Sequence, residues 1–153
     1  MAQSFTQIQQ ALDTQLLTVN GITNGTTGNL ISENQTMNLS SIPNFTTRTF
    51  VRSTLVPSTT TVETLGNAGY VKVNGLYAID VIGPMDKGYL TVKPLADLVL
   101  AAFPRGLKLT LTNGDVITVA VASPSPNVAQ GSWAMNKLYC VQVVVQFFGY
   151  VQP

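Results

Sequence analysis

The side chains that do chemistry are scarce in this sequence. It has no histidine, which removes the commonest general base and metal ligand. The carboxylates Asp13, Glu33, Glu63, Asp80, Asp86, Asp97 and Asp115 are spread over separate predicted elements. Asp80 and Asp86 flank one predicted turn, where a Ca²⁺ site or an acid–base pair can be imagined. The stretch lacks the D-x-D-x-D-G density of a calcium loop, so solvated turn and strand-end charges explain the pair better. Gly66-Asn67-Ala68-Gly69 is glycine-rich, yet no G-K-[ST] follows and no helix opens there, which argues against a phosphate cradle. Serine and threonine abound, but a hydroxyl without a base is an inert nucleophile. Cys140, the only cysteine, cannot form an internal disulfide and suits a reducing compartment. The sequence predicts no enzyme, no catalytic residue, no cofactor and no metal.

Asn24, Asn34, Asn38 and Asn44 each fit N-x-[ST]. In a segment so rich in Asn and Thr such matches arise by chance, and MAQSFTQIQQ has neither the basic nor the apolar region of a signal peptide.

What remains is a protein that works by contact. At 153 residues, the expectation is a single domain over 1–153 with a real core. Hydrophobic residues make up 45% and charged residues only 10%, against about 25% charged in typical soluble domains. So few charges protect a surface poorly from self-association, which predicts a surface covered by further copies or partners. Net charge is +1, and Arg48, Arg52, Lys72, Lys87, Lys93, Arg105, Lys108 and Lys137 are dispersed. No cluster forms an electrostatic footprint for nucleic acid, and no apolar run reaches the roughly 18 residues of a membrane span.

The elements that carry these surfaces are legible in order. Ser4 to Leu17 reads as a helix opened by an S-x-x-Q capping box at Ser4 and Gln7, with Phe5, Ile8, Leu12 and Leu16 as its buried stripe. Val19-Asn20-Gly21 ends it. From about 21 to 47 the chain turns Asn/Thr-rich and loses any period, with Ile31, Met37, Leu39, Ile42 and Phe45 scattered through it. The residues leave two readings, a surface excursion or an arm draped over a neighbouring subunit. Thr49–Val56 alternates as a strand closed by Pro57-Ser58, with Arg48 and Arg52 near its start as solvated strand-face charges.

The stretch from Tyr70 to Pro104 organises the rest. Val73, Leu76, Ala78, Val81 and Ile82 are apolar enough to bury. Asn74-Gly75 is a hairpin signal, or else one long strand runs through it with a bulge, and the long strand is preferred. The strand breaks at Gly83-Pro84 and again at Gly88. Val92, Leu95, Leu98, Val99, Ala102 and Phe103 then form one helical stripe, with Lys93 and Asp97 off it. Pro94 belongs in a helix's first turn, so the regular helix starts near it.

Beyond the helix, Leu107–Thr112 alternates, Asn113-Gly114 turns, and either Val116, Thr118 and Ala120 or Ile117, Val119 and Val121 face inward on the return strand. Ser123-Pro124-Ser125-Pro126 reads as an extended loop and Trp133 as a packing anchor. The last strand, Lys137–Tyr150, puts Tyr139, Val141, Val143, Val145 and Phe147 on one face. Cys140, Gln142, Val144 and Gln146 lie on the other, less deeply buried. The sum is α+β: a mainly antiparallel sheet of about five or six strands, an N-terminal helix and a second helix packed on it.

The order Gly75-Leu76-Tyr77, Gly83-Pro84, Gly88, Leu95-Ala96-Asp97 and Phe103-Pro104 resembles a bacteriophage tail protein family, the tail terminators of long-tailed phages. There a G-L-Y strand leads through a P-x-x-x-G turn into a helix holding L-A-D and ending in F-P. The resemblance spans about Phe50 to Phe148. It matches Gly75, Pro84, Gly88, Asp97, Phe103 and Trp133 as architectural residues, while Pro94 interrupts the family's helix and the 21–47 arm matches no pattern. It implies a structural virion protein at the head-proximal end of the tail, assembled in the host cytoplasm. Its form would be a homo-oligomeric ring, a hexamer, that caps the tube, stops its polymerisation and docks the head's connector. Its partners would be itself, the tail tube protein and a head-completion protein, with DNA passing through the ring. The arm's Ile31, Met37, Leu39, Ile42 and Phe45, with Arg48 and Arg52, are the interface candidates. The alternatives are a neck or head-completion protein, a tube subunit, or a carbohydrate- or host-binding β module.

Overall fold

The computed structural model describes residues 4–23, 28–31, 49–62, 69–84, 92–124 and 138–151. In chain order they form α1 (Ser4–Leu16), β1 (Leu30–Ile31), β2 (Phe50–Val62), β3 (Val71–Pro84), α2 (Lys93–Ala102), β4 (Lys108–Thr110), β5 (Val116–Pro124) and β6 (Leu138–Val151). The strands join in one six-stranded sheet, ordered β1-β2-β3-β6-β5-β4. Every pair is antiparallel except β1 with β2, which run parallel. The α+β expectation holds broadly, with that parallel edge as an addition.

The centre is the long β3–β6 pair, in register from Val71↔Val151 to Pro84↔Leu138. Both strands are dominated by β-branched and aromatic residues, which fit a pleated, packed surface. Asn74-Gly75 makes no hairpin, and β3 carries no bulge there. The irregularity sits opposite, on β2 between Pro57 and Thr60. The strand read as ending at Val56 therefore continues to Val62, because a bulge is where a sheet accepts a proline. Gly75 is required for another reason: a Cβ there would lie 2.6 Å from Cζ of Phe147, whose ring lies across the bare backbone. β3 runs through Gly83 and ends at Pro84, which pairs with Leu138, so the strand ends where the sequence put its break.

Both helices pack on one face of this sheet. α1 buries Ile8, Leu12 and Leu16 completely, each worth about 1.5–3 kcal/mol of transfer. Phe5 departs from the expected stripe and is 51% exposed. Gln7 turns its carboxamide oxygen to the Asn113 N–H at 3.3 Å, tying α1 to the β4–β5 turn rather than serving only its own helix end. α1 ends at Leu16, earlier than expected, and Gly21, at φ +97°, instead serves a later turn closed by the Ile22 N–H donating to the Val19 carbonyl at 3.2 Å. Asn29 then fixes the approach to the sheet: its Oδ1 accepts from Thr23 N–H (2.8 Å) and its Nδ2 donates to the Gly21 carbonyl (2.6 Å).

α2 has Pro94 in its first turn, as its missing N–H demands. It buries Ala96 and Val99, and the residues flanking its two ends, Val92 and Phe103, are buried with them. Leu98, expected in that stripe, points outward at 48% exposure, and Ala96 takes its place. The hairpin turn at Asn113-Gly114 is present, with Gly114 at φ +92°. On β5, Ile117 and Val119 face the core, but a bulge at Ala120 turns Val121 outward and Ala122 inward.

Candidate interaction surface

Strand alternation sorts the sheet's side chains onto two faces. Toward the helices the rows read Val51–Val81–Val141, Ser53–Ile79–Val143 and Leu55–Tyr77–Val145. This face is the main core. Tyr77 is fully buried in it, its ring 6.0 Å from and tilted 54° to that of Phe103. Its hydroxyl donates to an Asp13 carboxylate oxygen on α1, pinning the helix to the sheet. Burial and the Asp13 charge both raise the phenol's pKa well above the ordinary range, so it stays a neutral donor.

The opposite face carries no described helix and divides into three zones along the strands. At one end Phe50, Ile82, Leu138 and Cys140 form a second buried cluster, with Ile31 packed against it. Cys140 is the exception on a face that is otherwise the shallower one, as expected, with Gln142 and Val144 half-buried and Gln146 exposed. Burial, and secondarily the nearby Asp80, push the Cys140 thiol up to about 12.

Next comes a polar row, Arg52–Asp80–Gln142, one residue from each of β2, β3 and β6. Gln142 Nε2 donates to Asp80 Oδ1 at 2.8 Å. Burial raises the Asp80 pKa above the usual carboxylate range, partly offset by the Gln142 hydrogen bond and the Arg52 charge.

Beyond that row the face is open. Val56, Leu76, Gln146 and Val121 lie side by side across β2, β3, β6 and β5, and Lys72, Tyr150 and Val116 form a further row. Of the eight exposed large hydrophobic side chains among the described residues, five are here: Val56, Leu76, Val116, Val121 and Tyr150. Leu76, expected to be buried, is 37% exposed. Among the described residues, the charges on this half are Lys72, whose Nζ sits 5.5 Å from the Phe148 ring centroid, and Lys108 on the edge strand. An apolar centre with cations beside it can hold another macromolecule, and among the described residues no nucleophile–base pair accompanies it.

Of the residues singled out in the sequence, the structure brings Gly75, Pro84 and Phe103 into the interior. Asp97 is exposed on the outer side of α2. Ile31 is half-buried against the second cluster, and Arg52 half-buried opposite Asp80. Gly88, Trp133, Met37, Leu39, Ile42, Phe45 and Arg48 lie outside the described residues. The open half was missed by the sequence reading. Its signal was a strand apolar on both faces, as in Gly75-Leu76-Tyr77-Ala78-Ile79, which alternation with polar residues does not produce.

A shallow groove of about 480 Å³ also runs between α1 and β4, lined by uncharged side chains such as Gln10, Thr14 and Thr110. Among the described residues no group of three or more His, Cys, Asp or Glu could hold a metal ion, and no helix is long and apolar enough to cross a membrane.

Comparison with known proteins places this surface in context. A family model described as phage tail terminator protein matches residues 7–147. None of the curated proteins matches the sequence. One solved structure aligns over 100% of this chain and 99% of its own, with a TM-score of 0.62 and 15% identity. At that identity the likeness shows a shared fold.

Proposed function

On the premise that the chain belongs to the phage tail terminator family and is a structural component of the virion tail, we propose that it forms a ring that caps the tail tube. One side of the ring meets the last ring of tube protein and halts polymerisation. The other side presents a docking surface to the head's connector, which places the protein at the head-proximal end. The family match over 7–147 carries this reading. The surface agrees with it, since half of one sheet face is apolar, exposed and free of accessible carboxylates among the described residues. A closed ring of heterologous contacts leaves no free end, which is the property a chain stopper needs. Six copies are the expected number.

Negative-stain microscopy with mass measurement of the purified protein, alone and mixed with tail tubes, tests the proposal. Closed rings, free or seated on one tube end, support it. Long filaments would mark a tube subunit instead, and a protein that stays monomeric in the presence of tubes would overturn it.

A further inference from the structure

The geometry points to a front-to-back contact between copies, in which the outer ridge of α2 on one copy packs on the open half of the sheet of the next. This rests on the ring reading above and adds which two surfaces meet.

An apolar sheet face is normally buried under another layer, and among the described residues the helices supply a layer on one side only. The open half spans β2, β3, β6 and β5, about 14 Å across at the usual strand spacing, and about 14 Å along the strands from Leu76 to Lys72. α2 has 10 residues, hence a length of about 15 Å. Its inner stripe is committed to the core, and its outer ridge presents Pro94, Asp97, Leu98 and Ala101 to solvent. The ridge is therefore apolar with a carboxylate at its centre, and Lys93 lies one turn back at the helix start.

Charge selects between the ways two copies can meet. The open half carries Lys72 and Lys108, so two such faces brought together would juxtapose cations at an apolar contact, which is costly. The α2 ridge brings Asp97 to those lysines and Leu98 to Leu76 and Val121. The two surfaces lie on opposite sides of the same plate, so each copy uses both, one with each neighbour, and the contact is heterologous. The footprint is well under the roughly 800 Å² per partner of a stable pair. An isolated dimer is therefore weak, and closure, which gives every copy two contacts, holds the assembly.

The test places Leu98→Cys and Leu76→Cys on separate chains, both at exposed positions, with native Cys140 silent in its buried cluster. Mixed and oxidised under assembly conditions, the two variants are expected to give a cross-linked dimer that neither gives alone. Independently, Asp97→Lys is expected to abolish rings, and Lys72→Glu with Lys108→Glu in the same chain to restore them. If rings form but the mixture does not cross-link, or if Leu76→Cys chains cross-link with themselves, the inference falls and the ring stands. If the unmodified protein forms no ring on tubes, both fall.

Discussion

Leu76 and Tyr77 are neighbours on β3 and belong to different worlds. Tyr77 is fully buried under two helices, hydrogen-bonded to Asp13 and in contact with Phe103. Leu76 stands exposed beside Val56 and Gln146 on the face with no described helix. Both side chains are large and apolar, so hydrophobicity does not separate them. What separates them is whether the chain itself supplies the covering layer. The helix side is finished by its own sequence, whereas no described helix covers the open half, the surface proposed above to take another copy.

Paired substitutions sharpen that contrast. Ile79→Ala, on the helix side, is expected to cost about 2–5 kcal/mol in chemical denaturation, as core truncations do. Leu76→Ala should cost less, about 1–2 kcal/mol, because over a third of its surface stays in water when one copy folds. Equal losses at the two positions would erase the distinction.

A smaller effect tests the pin between α1 and the sheet. Asp13→Ala leaves the Tyr77 hydroxyl without its carboxylate acceptor in a dry site, an expected loss of about 1–3 kcal/mol. Adding Tyr77→Phe should recover part of it, since the orphaned donor is then gone. No recovery would show that Asp13 acts through something other than this bond.

The polar row gives a pH signature. Asp80 has its folded pKa raised by burial, so folding favours the protonated form. Its contribution to stability is full below the unfolded pKa and is lost as pH rises through the folded value. The melting-temperature difference between wild type and Asp80→Asn should therefore move in favour of wild type on going from about pH 7 to about pH 4. A difference independent of pH would mean that the carboxyl titrates as if in water.

The subtlest test concerns Cys140. With its thiol buried and pushed up to about 12, it should resist a thiol reagent at about pH 8 and react only after denaturant is added. Rapid reaction of the native protein would show that the second cluster opens.

Much of the fold was legible because local signals agree. Pro94 in a first turn and Asn113-Gly114 between alternating strands each force a conformation, and each appears where expected. The misses have a common cause, that periodicity reports spacing but not cover. Phe5 and Leu98 fit their helical stripes and still point outward, because Gln7 and Ala96 sit where the packing surface is. Leu76, and Val121 in one of the two readings of its strand, looked like core for the same reason. The β2 bulge at Pro57 and the one at Ala120 were invisible because register is decided between strands. The interface candidates rested on the 21–47 stretch, of which Ile31 packs within its own chain. The surface itself emerged only once register aligned four strands.

The central claim, that this protein ends a growing tail tube, is tested most directly by the lengths of tails assembled without it. The account predicts tubes that overrun their normal length and lack heads, corrected when the protein is supplied. Tails of normal length that join heads in its absence would contradict it.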